Sequence, residues 1–321
     1  MMYKINESDI VKVCLLYYQE NKTQEEISGL MGISRFKISR LLSQAKKEGV
    51  ISIHINDPMG DIGETEIGLA KKFRLKEAVI VRRSQLVGKT ELAQIGETGA
   101  RYLTRIIDKI KVLSVAWGIT LRHVVNSIEA IKTEDLTVVQ LTGSMGAIGG
   151  TDTNMLTMML SEKLSAKSLL LQAPLLVRDE KTKNAFLREG KIAETLAMAK
   201  TADMALLGIG LANQEGALYK AGLLRGKDYD EAAGKGAVGA LCGRLYDIYG
   251  KPCIVDWDKR VIGLTLEELS NVKHKVGIAG GHEKMDAIVG ALRGRFLDVL
   301  ITDEDTAQSL LGVTQDSVRQ K

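Results

Sequence analysis

Apolar residues recur every three to four positions over residues 9–19, where Ile10, Val13, Cys14, Leu16 and Tyr17 fall on one face of a helix. Thr23-Gln24-Glu25-Glu26 then has the form of a capping box, a hydroxyl followed three residues on by a carboxylate. A short second helix is therefore expected, with Ile27 and Leu30 on its buried face. Gly32 stands where a tight turn needs positive φ, and Ser34 is suited to cap a third helix whose Ile38, Leu41, Leu42 and Ala45 face inward. The alternation Val-Ile-Ser-Ile-His-Ile over residues 50–55 predicts a strand beside that helix. From residue 69 the period changes. Near-continuously apolar strands are expected at 77–81, 112–117, 136–141, 168–173, 204–209, 237–246, 276–279 and 299–302. Amphipathic helices at 91–107, 121–128, 155–164, 192–200, 285–292 and 306–311 separate most of them. That alternation predicts a mostly parallel sheet covered on both faces.

Residues 56–66 are polar, with Pro58, Gly60 and Gly63, and break the two patterns apart. The expected organisation is a winged helix-turn-helix over 1–56, a linker over 57–66, an α/β domain for effector binding and oligomerisation over 67–315, and a polar tail over 316–321. With 45% hydrophobic and 26% charged residues in 321, the composition is that of a folded globular protein and excludes a disordered or collagen-like chain. The longest apolar runs fall short of the ~20 residues that cross a bilayer. The N-terminal residues lack a basic segment, apolar run and cleavage site, so a cytoplasmic protein is expected.

The net charge of +4 is too small to announce a polyanionic partner, but its distribution is uneven. Residues 34–47 carry Arg35, Lys37, Arg40, Lys46 and Lys47 and no acidic side chain. A solvated helix face would account for the charge alone. The cap, the turn glycine and the periodicity together favour a helix-turn-helix presenting Ser34, Arg35, Phe36, Lys37, Ser39, Arg40 and Gln44 to the major groove of double-stranded DNA. Arg35 and Arg40 can grip guanine or phosphate in two-pronged fashion, while Lys46 and Lys47 suit the backbone. Thr23 and Gln24 can meet a phosphate at the start of the second helix.

In a parallel α/β sheet, small ligands bind beyond the C-terminal strand ends, where glycines let backbone N–H groups approach an anion. Four such loops are expected: 117–120 with Gly118 and Thr120, 142–146 with Gly143 and Ser144, 208–210, and 279–284 with Gly280, Gly281 and Lys284. Glycine after a strand is ordinary turn chemistry, but four such loops, two with hydroxyls and one with a lysine, favour a phosphorylated or polyhydroxy ligand. No Walker spacing and no GxGxxG follows the first strand, and no Cys or His cluster has metal-ligand spacing, so neither cofactor nor metal is expected. Cys14, Cys242 and Cys253 read as buried thiols, His282 as a solvated turn residue, and Met155, Met158 and Met159 as core filler. The run Asp303-Glu304-Asp305 reads as an acidic helix cap rather than catalytic carboxylates.

Residues 17–55, with the segments Val115-Ala116-Trp117-Gly118-Ile119-Thr120, Val138-Val139-Gln140-Leu141, Lys235-Gly236-Ala237-Val238-Gly239, the stretch 276–281 with Lys284, and 299–303, resemble in order and spacing the SorC/DeoR-type family of bacterial sugar-operon regulators. The resemblance covers nearly the whole chain. It implies a Rossmann-like effector domain similar to sugar-phosphate isomerases, a phosphorylated sugar that tunes operator affinity, homo-oligomers (dimers or tetramers), and a repressor. It further implies an effector site containing Gly118, Thr120, Gly143, Ser144, Asp152, Asn154, Gly280, Gly281 and Lys284. One departure stands out: relatives commonly carry an acidic residue where this chain has Ala240. The rival reading is a sugar-phosphate enzyme, but no acid/base pair is evident near the four loops, and an isomerase needs no DNA-binding helices.

Overall fold

The computed structural model describes residues 7–51, 62–82, 90–146 and 152–313. The chain divides into two compact units, residues 1–60 and 61–321.

The first unit holds α1 (Glu7–Cys14), α2 (Gln24–Met31) and α3 (Arg35–Lys47). Ile10, Val13, Cys14, Ile27, Ile33, Ile38, Leu41, Leu42 and Ala45 form its own core, because each helix turns its apolar stripe inward. The capping box at Thr23 is present in both directions: the Glu26 N–H donates to Thr23 Oγ1 at 3.2 Å and the Thr23 N–H to Glu26 Oε2 at 2.7 Å. Gly32 closes α2 with φ +67°, and the Ser34 side chain accepts from the Lys37 N–H, so α2 and α3 are joined as a helix-turn-helix requires. Two details differ from expectation. Leu30 is 65% exposed, since Ile27 alone fills the small space beneath the short α2. The first helix ends at Cys14 and widens into a π turn over Leu15–Gln19. The strand expected over 50–55 lies mostly outside the described residues.

The second unit runs α4 (Ile62–Phe73), β1 (Glu77–Val81), α5 (Glu91–Ile106), β2 (Val112–Val115), α6 (Ile119–Ser127), β3 (Thr137–Gln140), α7 (Thr153–Lys163), β4 (Lys167–Leu169), α8 (Glu180–Arg188) and α9 (Gly190–Lys200). It continues β5 (Met204–Gly208), β6 (Gly210–Leu211), α10 (Ala217–Lys220), α11 (Gly226–Gly234), β7 (Ala237–Leu241), β8 (Arg244–Asp247), α12 (Val255–Asp258), α13 (Leu266–Leu269), β9 (Lys275–Ile278), α14 (Met285–Arg293), β10 (Val299–Asp303) and α15 (Glu304–Gly312). Helix α4 begins at Ile62, so residues 62–66, expected as connector, are helical.

Seven strands form a parallel sheet in the order β1-β10-β9-β5-β2-β3-β4. From β2 the chain steps outward through β3 to β4, then returns to β5 on the other side of β2 and steps the opposite way to β9 and β10. The neighbours β2 and β5 thus mark where the winding reverses, and the loops leaving their C-terminal ends part to leave a crevice. At the outer edge, the Ile80 N–H of β1 donates to the Glu66 carboxylate of α4 at 2.8 Å, which blunts an open strand edge.

The segment 237–246, expected as one strand, is a hairpin: β7 and β8 pair antiparallel, with β6 beyond β7. The turn is Cys242-Gly243, both at positive φ (51° and 77°), a conformation unusual for cysteine and hence not legible from its type. This small sheet has a second core of Leu175, Leu218, Leu224, Leu245, Ile254 and Trp257. Met155 and Met158, expected in the core, are 46% and 57% exposed, because Leu156, Thr157 and Leu160 occupy the inner face of α7.

Candidate functional site

On α3 the four inward residues fix the helix's rotation, leaving Arg35, Phe36, Ser39, Arg40 and Gln44 exposed and Lys37 half-buried. Arg40 and Lys37 make no ion pair among the described residues, whereas Arg35 Nη1 lies 3.7 Å from Glu25 Oε2 across the turn. Gln44 donates to Glu48 Oε1 at 2.8 Å. A groove of about 730 Å³ beside this face is lined by Tyr17, Tyr18, Asn21, Lys22, Thr23, Gln24, Glu25 and Arg35. Thr23 and Gln24 therefore sit with Arg35 in one place. Tyr17 and Tyr18, edge to face at 4.9 Å, join them through the π turn, a register that a strict 3.6-residue reading of the sequence does not produce.

In the second unit a cavity of about 170 Å³ opens at the crevice between β2 and β5. Its lining combines the turn after β2 (Trp117, Gly118) with Thr120 in the first turn of α6, the junction of β5 and β6 (Gly208, Ile209, Gly210), the hairpin residues Ala240 and Cys242, the helix α10 region (Glu215, Lys220), and Lys284. Gly118 has φ 141°, and as a glycine cap it offers no side chain to the first-turn N–H groups of α6. Those donors and the positive end of the helix face outward at the crevice. Lys284 ends a 3₁₀ turn after β9, is half-buried, and has no hydrogen bond or ion pair among the described residues. Burial pushes its ammonium below the usual lysine range, with Glu283 opposing. The Glu215 and Lys220 side chains, missed by sequence reasoning because α10 has only four residues, are ion-paired at 2.8 Å at the mouth.

Other expected site residues are placed elsewhere. The Gly143 N–H donates to Ile262 O and the Ser144 N–H to Ala173 O, while a methyl at Gly143 would come within 2.3 Å of Pro174 O. That loop is spent on joining strands, which explains its glycine structurally. The Ser144 hydroxyl donates to Asp152, and Asn154 Oδ1 accepts from Gln140 Nε2 at 2.6 Å. None of these four lines the cavity. Gly280 and Gly281 do not line it either. The Gly281 N–H is shared by Asp303 Oδ2 (2.9 Å) and Thr306 Oγ1 (3.0 Å), so it is committed to an internal anion. Asp303 also caps α15 by accepting from the Thr306 N–H at 2.7 Å, the structural role expected for the acidic run.

Beside Asp303, burial and then the Asp303 charge lift the Glu91 carboxyl to about 7. A carboxyl whose folded pKa exceeds its unfolded one contributes stability below the unfolded value, which is lost as pH rises toward 7. Glu91→Gln should therefore flatten the fall in melting temperature between pH 5 and 8 and leave the variant more stable than wild type at pH 8. An unchanged slope in a thermal-melt series would place the titration elsewhere.

A helix-turn-helix unit joined in one chain to a parallel α/β unit with a cationic crevice defines a DNA-binding regulator with a small-molecule pocket. The sequence profile of the sugar-binding domain family matches residues 57–312, and the chain belongs to that family of SorC/DeoR-type transcriptional regulators. It is 30% identical over 311 residues to the transcriptional regulator YjhU of Escherichia coli K12, covering 95% of both chains, and 30% identical over 308 residues to the sorbitol operon regulator of Klebsiella pneumoniae (94% and 97%). The full-length crystal structure of the latter, SorC, superposes with TM-score 0.73 at 28% identity, covering 96% of this chain and 100% of that one. A DeoR family transcriptional regulator from Listeria monocytogenes superposes with TM-score 0.71 at 30% identity over 77% and 98%.

Proposed function

We propose that this transcriptional regulator is a repressor of a carbohydrate-utilisation operon, acting in the cytoplasm as a homodimer or homotetramer, and released from or held on its operator by a phosphorylated sugar. The observation that carries the reading is Lys284: a half-buried cation with no hydrogen bond or ion pair among the described residues, at the same crevice as the glycine-capped N-terminus of α6. A phosphate there would meet a positive charge and helix N–H donors together. Arg40 and Lys37, exposed or half-exposed and without ion-pair partners among the described residues, are available to meet DNA, and two copies of α3 would read half-sites about 34 Å apart or a multiple of it. The effector can shift operator occupancy only as far as its affinity differs between the two states of the protein.

Gel shift on the DNA upstream of the protein's own gene cluster, at fixed salt, with a panel of sugar phosphates and their unphosphorylated sugars, tests this. A change in affinity caused by a phosphorylated member alone is expected; a response to the free sugar alone would overturn the assignment of Lys284. In the same assay Arg40→Ala should weaken operator binding by about 1–3 kcal/mol and relax base preference, with sugar-phosphate binding intact. Lys46→Ala should instead lower affinity equally for all sequences and reduce the salt slope by about 1.

A further inference from the structure

Phe36 is 75% exposed at the second position of α3 and takes no part in the core of the first unit. It stands between Arg35 and Lys37, in a stretch that carries five cations and no acidic residue. Because Ile38, Leu41, Leu42 and Ala45 fix the rotation of α3, Phe36, Ser39, Arg40 and Ser43 share one outward stripe at helical spacing. The two ends of that stripe's surroundings are already engaged. Ser43 Oγ donates to Ser39 O at 3.0 Å, and the Arg35 guanidinium is drawn across the turn to Glu25 at 3.7 Å. The large groups left on the stripe are a phenyl ring and, one turn on, the Arg40 guanidinium. Long helical side chains lean toward the helix N-terminus, so the ring projects at the end of α3 that a helix-turn-helix brings to base edges.

A bare aromatic ring among cations suits a polyanion that displays an apolar group. In the major groove that group is the C5-methyl of thymine, for which phenylalanine is a known contact. We propose that Phe36 reads a thymine methyl and so fixes a T·A base pair in each operator half-site. This rests on the reading of α3 as the recognition helix and adds the base that one of its residues selects. Residues four apart on a helix lie about 5–6 Å from each other at Cβ, and base pairs step by ~3.4 Å. The thymine therefore falls within two base pairs of the position that Arg40 contacts.

The upstream DNA that the full chain protects in footprinting is remade with each protected thymine replaced in turn by deoxyuridine, which removes the methyl and nothing else. Affinities are read by gel shift at fixed salt. At one thymine in each half-site the wild-type affinity should fall about 4-fold, the worth of one methyl group taken out of water. The same replacement should leave Phe36→Ala unaffected, while Phe36→Leu, which keeps an apolar side chain, should retain the response. The exposed ring makes both variants fold as wild type does, which a thermal melt checks. A ladder in which no thymine responds overturns the inference and leaves the recognition helix standing. So does a thymine that responds equally in wild type and Phe36→Ala, or one more than two base pairs from where Arg40→Ala relaxes base preference. Absence of any protected DNA overturns the recognition-helix reading and this inference together. Phe36→Ala that binds DNA as wild type does but changes its oligomeric state in sedimentation gives the ring to a second copy of the chain, and overturns the inference.

Discussion

Arg244→Met should lower the stability of the α/β unit by about 3–5 kcal/mol, as the loss of one partner of a buried, hydrogen-bonded charge does. Arg244 is 1% exposed at the start of β8. Its guanidinium donates to the carbonyls of Asp258 (2.6 Å), Val261 (3.1 Å), Gly263 (3.1 Å) and Leu264 (3.3 Å), and Nη1 lies 3.4 Å from the Asp258 carboxylate. The segment it holds is bridged to the end of β3 through Thr142 and Gly263, and the Leu264 N–H donates to Leu141 O. One side chain thus fastens the antiparallel sheet, and with it Ala240 of the cavity lining, to the parallel sheet. Methionine fills the volume but leaves the Val261, Gly263 and Leu264 carbonyls and the Asp258 carboxylate without the guanidinium, while Asp258 O keeps the Lys183 ammonium at 3.0 Å. At 2–4 °C per kcal/mol for a unit of this size, the melting temperature should fall by roughly 6–20 °C. Arg244→Lys should recover only part of it, because one ammonium cannot reach a fan of carbonyls. A methionine variant that melts within ~1 °C of wild type would show that the fan contributes nothing net.

Lys284→Met should separate stability from response. A half-buried ammonium with no partner among the described residues costs folding free energy, so the variant should melt no lower than wild type, and higher if the methionine packs. On the function proposed above, it should also lose about 1.5–3 kcal/mol of sugar-phosphate affinity, roughly 10- to 150-fold, and with it the change in operator binding, while binding DNA normally without effector. The paired readout of melting temperature and gel shift decides it. A variant that melts early would mean the lysine has a structural partner, and one that responds normally would move the phosphate elsewhere.

What could be read from residue order was what is decided locally. Thr23, Glu26, Gly32 and Ser34 each act within a few positions of themselves, and all four do in the structure what their types suggest. The parallel strands were legible for a related reason: a strand covered on both faces is apolar throughout, as Val299–Asp303 is buried throughout. The site was legible only in part. Gly118 and Lys284 meet at the crevice, but Gly143 and Gly281 follow strands in the same manner and are consumed by Pro174 and Asp303, partners 31 and 22 positions away that no local pattern reveals. Glu215 and Lys220 were hidden because a four-residue helix has no periodicity to detect. The hairpin at Cys242 was hidden because its turn uses a residue that seldom adopts positive φ.

The pairing of β1 with β10 joins residues far apart in time as well as in sequence. Glu77 meets Val299, roughly 220 positions later, so at 5–20 residues per second the first strand of the sheet waits about 10–45 s on the ribosome for its partner. The helical unit, whose core closes within its first fifty or so residues, has no such delay. During each round of synthesis the helix carrying Arg35, Lys37 and Arg40 can therefore be complete while the sheet is still an open edge. The Glu66 carboxylate on the Ile80 N–H needs only residues within 14 positions of each other, so this cover on the outer strand edge can form before β10 exists.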